Sequence, residues 1–154
     1  MNRKILLSLS LVAMGITITA CNKTCRVDGV AGSIAPGSAE DLAANVPNTV
    51  YFDFDKSAVS DAARKRIEAQ ACWLKTYGAT KATIEGHCDV RGTNEYNMAL
   101  GEARATAVSK ELKTQGVDAS RLTTVSYGKE RPIDDGINEV SHAKNRRATT
   151  VIGG

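Results

Sequence analysis

The stretch GHCDVRGTNEYNMALGEAR, residues 86–104, decides the fold because it contains a strand end, a turn and the start of a long helix. The alternating run Ala82-Thr83-Ile84-Glu85 predicts the strand that leads into it, and Gly92 predicts the turn. Apolar residues at helical spacing then predict a helix that Gly116 ends. The predicted inward stripe of this helix is Tyr96, Leu100, Ala103, Ala107 and Leu112. The stretch therefore supplies one strand-turn-helix unit.

The flanking segments extend this unit into a β-α-β-α-β-β pattern. Runs of β-branched and aromatic residues predict strands at residues 49–54, 122–127 and 148–152, with a polar loop between the last two. Ser60 can cap a helix that ends before Gly78, and its inward face would hold Ala63, Ile67, Ala71 and Leu74. Because crossovers between parallel strands are right-handed, we expect an α+β domain with a mixed sheet and both helices packed on one face.

The first twenty residues have the composition of an export signal. Arg3 and Lys4 precede a mostly apolar run that ends at Ala20, too short for the roughly 20 apolar residues of a membrane-spanning helix. The junction Ile18-Thr19-Ala20-Cys21 resembles a bacterial lipobox, in which the Cys is acylated and becomes the new N-terminus. We therefore predict a lipoprotein signal peptide at residues 1–20 and lipidation of Cys21. In the alternative, an ordinary signal is cleaved and Cys21 forms a disulfide.

A linker and one folded domain are expected to follow. Residues 21–46 are rich in Gly, Ala, Ser and Asn without sustained periodicity, which predicts a lipidated N-terminus and a flexible linker. About 25 such residues span on the order of 25–30 Å. Residues 47–154 are long enough for one domain with a single core. If sorting resembles that of enteric lipoproteins, Asn22 places the domain at the outer membrane, lipid-anchored and facing the periplasm.

The charge balance excludes one class of partner. Cleavage after residue 20 removes two of the 20 basic residues and none of the 17 acidic ones, so the formal net charge falls from +3 to +1. A nearly neutral chain lacks the basic face that nucleic-acid binding requires. We therefore expect no nucleic-acid partner, and any functional charge must be local.

The residue sets of common metal and catalytic sites are missing from the sequence. No Cys-x-x-Cys or His-x-x-x-His spacing is present, and His87 and His142 are the chain's two histidines. A Gly-x-Ser-x-Gly turn is also missing. We expect no metal, no cofactor and no enzymatic activity, with His87 a structural residue at a strand end.

The cysteines leave two alternatives open. If Cys21 is lipidated, three thiols remain at Cys25, Cys72 and Cys88, and an exported protein can form disulfides. A bridge between Cys72 and Cys88 is conceivable and would favour a thiol-based envelope sensor. Equally, both residues can be small buried side chains.

Asp89 and Arg104 are the two charges from which we expect a function. Asp89 lies just beyond the predicted strand and Arg104 lies on the predicted helix, so they cannot form a helical i, i+4 pair. If the helix folds back across the strand end, both can face one pocket and bind a ligand that carries an ammonium and a carboxylate. Alternatively, they form a partly exposed salt bridge worth about 0–1 kcal/mol. Charge arguments leave both interpretations open.

Several separated motifs resemble the OmpA-like peptidoglycan-binding domain family. They are Tyr51-Phe52-x-Phe54-Asp55, the run 84–93, Tyr96-Asn97, Leu100-Gly101, Arg104-Ala105, the run 125–132 and Asn145-Arg146-Arg147. The match covers about residues 48–152 in matching order, and the lipobox with its linker favours the lipoprotein members over the porin and flagellar-stator members. Cys88 replaces a Thr that is frequent in the family, and Ala103 a frequent Arg.

The resemblance implies non-covalent binding of the meso-diaminopimelate side chain of the cell-wall peptide. Asp89 and Arg104 match the family's ligand-binding pair. Asp55 matches a further binding position, although it can equally be a turn-capping residue. Positions that shape the pocket are matched by Asn97, Leu100 and Asn145.

The resemblance further implies a non-enzymatic tether between the outer membrane and peptidoglycan. The implied protein partners are the Tol proteins, notably a TolB-type β-propeller, and the implied roles are envelope integrity and cell division. Two other classes remain as alternatives. One is a hydrolase that acts on peptidoglycan through Glu85 or Asp89, and the other is the thiol-based sensor.

Overall fold

The computed structural model describes residues 34–153 of the chain. The predicted signal peptide, the predicted lipidation site Cys21 and residues 22–33 of the predicted linker lie outside the described residues. No helix within residues 34–153 is long and apolar enough to cross a membrane.

Four helices and a four-stranded sheet make up the described residues. The helices are α1 (Ala39–Asn45), α2 (Asp61–Thr76), α3 (Asn94–Thr114) and α4 (Glu139–Asn145), and a 3₁₀ turn spans Ala119–Arg121. The strands are β1 (Thr49–Tyr51), β2 (Ala82–His87), β3 (Leu122–Gly128) and β4 (Arg147–Ile152). The sheet order is β1-β4-β2-β3, with β4 antiparallel to both of its neighbours and β2 parallel to β3. The predicted α+β class with a mixed sheet is confirmed.

The strand directions explain why α2 and α3 share one face of the sheet. Both β1 and β2 oppose β4, so they run parallel to each other, as β2 and β3 do. The two crossovers step in the same direction across the sheet, and right-handed crossovers then place their helices on the same side. One core joins these layers, including Val50, Ile67, Trp73, Leu74, Ile84, Val108, Leu112 and Ala148.

Local capping residues fix where the two long helices begin. The Ser60 hydroxyl accepts a hydrogen bond from the Ala63 N–H, and Thr93 accepts one from Tyr96 in the same way. Gly92 precedes the second cap with a φ of 90°, a left-handed conformation that favours glycine. The predicted inward face of α2 is confirmed, since its four predicted residues are all buried.

The predicted inward stripe of α3 is only partly correct, since Leu112 is buried and Leu100 and Ala107 are half-buried, but Tyr96 and Ala103 are exposed. The buried residues of α3 are Asn97, Gly101, Arg104, Ala105, Val108, Ser109 and Leu112. Tyr96, which the stripe placed inside, is half exposed. The reason is a close approach between α3 and β2, because a Cβ on Gly86 would overlap the carbonyl oxygen of Gly101. Backbone proximity selects this face, so apolar spacing misidentifies it.

Two short helices occupy segments without predicted structure. Residues 39–45, assigned to the linker, form α1, whose Leu42 is part of the core. Ser38 caps α1, and Asp41 accepts a hydrogen bond from the buried indole of Trp73 at 3.1 Å. The α4 helix lies in the polar loop between the last two strands. Both helices have seven residues, too few to show a helical period.

The conceivable bridge between Cys72 and Cys88 is wrong. Cys88 is a buried free thiol at the end of β2, and its Sγ donates to the backbone oxygen of Asn97 at 3.3 Å. Cys72 on α2 is disulfide-bonded. The chain's other two cysteines, Cys21 and Cys25, lie outside the described residues. A sensor that depends on joining Cys72 to Cys88 is thereby excluded.

Candidate functional site

A pocket of about 230 Å³ opens beside the end of β2. The loop after β1, the turn between β2 and α3, and the first three turns of α3 surround it. Its lining residues are Phe54, Asp55, Cys88, Asp89, Arg91, Gly92, Tyr96, Asn97, Leu100 and Arg104. Five of the six predicted ligand-binding residues therefore meet in one pocket. The volume lies below the roughly 300–1,000 Å³ of sites for drug-sized ligands, so it suits a single side chain or a similarly small group.

Arg104 is a fully buried cation held by backbone carbonyl groups. Its Nε donates to the oxygen of Lys56 at 2.9 Å, Nη1 to His87 at 2.8 Å and Nη2 to Asp53 at 3.2 Å. The ring of Phe52 lies 5.3 Å from the guanidinium carbon. Burial lowers the pKa of Arg104, but an arginine stays protonated in proteins. The pocket thus contains a permanent positive charge with a fixed orientation.

Asp89 provides the opposite charge and is almost as deeply buried. Its Oδ1 accepts the backbone N–H of Arg91 at 3.1 Å and the Nε of Arg91 at 3.2 Å. Its Oδ2 lies 2.6 Å from Nη2 of Arg91 and 3.4 Å from Nη1 of Arg146. Burial alone would raise the pKa of Asp89, but the hydrogen bonds and charge of Arg91 hold it below its usual range. The carboxyl group is therefore ionised at neutral pH.

The predicted pair does not form a direct salt bridge. Within residues 34–153, the ion pairs of Asp89 are with Arg91 and Arg146, while Arg104 is bonded to backbone carbonyls. The simple salt-bridge alternative for Asp89 and Arg104 is therefore wrong. Both residues line the same pocket as separately held charges.

Asp55 lies at the rim of the pocket and accepts a hydrogen bond from the Tyr96 hydroxyl. Its φ of 58° makes it the one described non-glycine residue with a positive φ, a conformation that Asp tolerates in turns. The hydrogen bond to Asp55 raises the pKa of Tyr96. Asp55 thus lies in a turn, and its side chain also lines the pocket.

The three predicted pocket-shaping residues divide into two groups. Asn97 donates from its side-chain amide to the oxygens of Arg91 and Thr93, so it fixes the turn before α3, and Leu100 lines the pocket directly. Asn145 does not lie in this pocket. Its amide bonds to the backbone of residues 133 and 134, beside a separate cavity of about 100 Å³.

Sequence reasoning missed Arg91 and Arg146 as partners of Asp89. Arg91 lies two residues after Asp89, and its N–H closes a turn on the carboxylate, so its proximity offered a usable local signal. Arg146 lies 57 positions away, and no local pattern connects it to Asp89. Phe54 was also missed as a pocket residue. The guanidinium of Arg91 stacks on its ring, 4.0 Å from the ring centroid.

The arrangement favours binding over chemical conversion. Within residues 34–153, no group of three or more His, Cys, Asp or Glu side chains is placed to hold a metal ion. Burial lowers the pKa of His87 to about 4, with Arg147 and Arg131 adding to the effect, so its imidazole is neutral at pH 7. A fixed cation and an ionised carboxylate in one small pocket complement a ligand that carries both charges.

Comparison with known proteins identifies the family. Residues 51–146 match the model of the OmpA family. The peptidoglycan-associated lipoprotein of Agrobacterium fabrum is 46% identical over 126 residues, which cover 82% of this chain and 71% of the relative. The peptidoglycan-associated lipoprotein of Pasteurella multocida is 42% identical over 146 residues, covering 94% of this chain and 97% of the relative.

A solved structure supports the same assignment. The crystal structure of the peptidoglycan-associated lipoprotein from Burkholderia pseudomallei superposes with a TM-score of 0.67 at 42% identity, covering 69% of this chain and 90% of that one. The names of these relatives describe association with peptidoglycan and no catalytic activity, which agrees with the expectation of a non-enzymatic protein. The chain belongs to the OmpA family and, within it, to the peptidoglycan-associated lipoproteins.

Proposed function

We propose that this chain binds peptidoglycan non-covalently by holding the diaminopimelate side chain of the wall peptide in the pocket of Asp89 and Arg104. The observation that carries the proposal is that two buried, opposite and separately held charges line one small pocket. The end of a diaminopimelate side chain carries an ammonium and a carboxylate on one carbon. Its two charges are therefore opposite in sign to those of Asp89 and Arg104.

Arg104 is suited to the carboxylate of this ligand. A guanidinium has five N–H donors, and the three bonds to backbone oxygens use one on each nitrogen. One N–H on each terminal nitrogen is left for a bidentate contact with a carboxylate. The ligand ammonium would then lie towards Asp89, with Asp55 adding negative charge at the rim.

The supporting residues have two roles in this proposal. Asn97 and Leu100 shape the pocket wall directly. Asn145 acts at a distance. It holds the backbone of residues 133 and 134, and it directly precedes Arg146, which contacts Asp89.

The remaining parts of the chain fit a tether. In this proposal residues 1–20 are a cleaved signal peptide, lipidated Cys21 anchors the chain in the outer membrane, and the following residues link it to the domain. Several acyl chains on one residue give durable anchoring. Many tethered copies facing a repeating wall gain avidity from effective concentration, so a modest single-site affinity is sufficient. The partners in this role are the Tol proteins, with a TolB-type β-propeller, in support of envelope integrity and cell division.

Sedimentation with purified sacculi tests the proposed site. Asp89→Ala and Arg104→Ala should each reduce co-sedimentation at least tenfold, because each leaves one ligand charge unpaired in a buried site. Asp61→Ala and Arg64→Ala are matched controls, since these residues form an exposed ion pair at 3.2 Å on α2. Thermal unfolding should first establish that each variant is folded.

If Asp89→Ala and Arg104→Ala both co-sediment with sacculi as much as wild type does, the proposed site is wrong. Release of muropeptides from sacculi incubated with the pure chain would instead support a hydrolase. Diaminopimelate-containing peptide, added in excess, should release the bound wild-type chain and thereby identify the ligand.

A further inference from the structure

The carboxylate of Asp89 is already saturated with donors in this structure. An ionised carboxylate offers about four acceptor sites, and four donors from Arg91 and Arg146 occupy Oδ1 and Oδ2. A ligand ammonium therefore has to compete with these donors for Asp89.

Arg146 is not free to leave. Its side chain is 8% exposed, its Nε donates to the oxygen of Phe52 at 3.0 Å, and its Nη2 lies 2.8 Å from Oε1 of Glu139. Displacing it would break these contacts together with its weak 3.4 Å contact to Asp89. Its departure would cost the buried hydrogen bond to Phe52 and the ion pair with Glu139.

The Arg91 side chain is the donor that can move. It is 38% exposed, and besides Asp89 it packs against the ring of Phe54, which is itself an exposed residue. A second carboxylate is within reach, since Oε2 of Glu139 lies 3.6 Å from Nη2 of Arg91 and the Glu139 side chain is 64% exposed. The guanidinium can thus exchange one acid for another by side-chain rotation alone.

We propose that Arg91 is an affinity-setting residue of the pocket, an internal cation that occupies Asp89 until a ligand ammonium displaces it towards Glu139. This inference rests on the proposed function, because it concerns the ligand of the same pocket. By competing for Asp89, Arg91 lowers the affinity of the pocket for any ligand that carries an ammonium. A simple amine has to displace the guanidinium through one charge contact, whereas a zwitterion gains a second contact at Arg104. Ligands with both charges are then the ones that bind measurably.

Titration calorimetry with two peptides tests the displacement in the full chain. One peptide carries meso-diaminopimelate, and the other carries L-lysine at the same position and so lacks the second carboxylate. Arg91→Gln should bind the diaminopimelate peptide about three- to fivefold more tightly than wild type, because the competing ion pair is gone. The lysine peptide should gain by a similar factor. Arg91→Lys keeps the charge but loses the planar two-point contact, so a smaller gain is expected.

Arg64→Gln is the matched control, because it removes the same charge from the exposed face of α2. A structure of the complex should show the Arg91 guanidinium beside Glu139 instead of Asp89. Unchanged affinity in Arg91→Gln would overturn the displacement. Weaker binding of the diaminopimelate peptide alone would overturn it as well and would assign Arg91 to the ligand carboxylate. If wild type and Arg64→Gln, both folded, fail to bind the diaminopimelate peptide, the proposed function itself fails and the displacement fails with it.

Discussion

Arg104 and Asp89 lie in the same pocket, but the protein holds them in place by different means. Arg104 is fully buried and donates to three backbone carbonyl oxygens. Asp89 is held mainly by the side chains of Arg91 and Arg146. Carbonyl groups can leave only if the backbone moves, whereas side chains exchange rotamers. The positive half of the site therefore belongs to the framework of the fold, and the negative half is adjustable.

The largest effect is expected from breaking the framework behind Arg104. Gly86→Ala places a methyl group where the backbone of Gly101 lies, so α3 must move away from β2. This movement pulls Arg104 from the carbonyl of His87. We expect the free energy of unfolding to fall by roughly 3 kcal/mol, at the upper end of overpacking effects. Urea denaturation measures the loss.

Gly78→Ala is the matched control for this substitution. Nothing lies within 4 Å of a Cβ built on Gly78, and its φ lies outside the left-handed region. Its unfolding free energy should change by less than about 1 kcal/mol. Equal effects of the two substitutions would show that the contact between Gly86 and Gly101 does not hold α3 in place.

A smaller effect should separate the two charges directly. Arg104→Lys keeps the charge, but one ammonium cannot serve three carbonyl oxygens that the guanidinium reaches in different directions. Unsatisfied buried acceptors cost about 1–3 kcal/mol each before relaxation, so we expect a loss of about 2 kcal/mol. Asp89→Asn should lose only about half of that, because an amide oxygen still accepts and the Arg91 side chain can turn to Glu139.

Chemical denaturation of both variants at neutral pH checks this difference. If Asp89→Asn destabilises the chain more than Arg104→Lys, the assignment of framework and adjustable halves is reversed. Both variants should bind sacculi poorly, so stability is the measurement that distinguishes them.

The sequence predicts those parts of the site whose determinants are local. The strand before Asp89, the Gly92 turn and the helix that carries Arg104 all follow from residue types within a few positions of one another. Their junction brings five of the six predicted residues into one pocket. The face of α3 that packs on the sheet could not be predicted in this way. Gly86 and Gly101 determine it by permitting a close approach of the two backbones, and the spacing of apolar residues carries no information about that approach.

Apart from Arg91, which lies two residues from Asp89, the partners of the two charges could not be predicted, because they depend on contacts between distant segments. Two of the three acceptors of Arg104, Asp53 and Lys56, lie 51 and 48 positions away in the loop after β1. Arg146 reaches Asp89 only because the short α4 helix, itself missed, ends beside β1. Asn145 illustrates the same limit, since its match to a pocket position says nothing about which of two neighbouring cavities it faces.

His87 provides the smallest expected effect and a third way of holding a buried polar group. Its backbone oxygen serves Arg104, but within the described residues neither ring nitrogen has a hydrogen-bond partner. Burial first, then the charges of Arg147 and Arg131, lower its pKa to about 4. The unfolded chain binds a proton at a pKa of about 6.5, so protonation favours unfolding. The contribution of His87 to stability is complete above pH 6.5 and is lost as the pH falls towards 4.

Removing this titration should flatten the pH dependence of stability. Between pH 7 and pH 5 the wild-type free energy of unfolding should fall by about 1.5 kcal/mol from His87, and His87→Asn should lack this component. Asp134→Asn is the control for a different window. Lys144 holds the pKa of the Asp134 carboxyl well below its usual range, so its contribution is present above its unfolded pKa of about 3.9 and is lost only at more acidic pH.

Urea denaturation series at pH 5 and pH 7 therefore separate the two groups. If His87→Asn keeps the wild-type change in unfolding free energy between pH 5 and pH 7, the imidazolium of wild-type His87 must be stabilised in the folded chain. Glu85, whose Oε2 lies 3.7 Å from Nε2, is the acid that could stabilise it. The side chain of His87 would then be adjustable, as the surroundings of Asp89 are. Only the backbone oxygen of His87, which accepts from Arg104, would belong to the rigid framework.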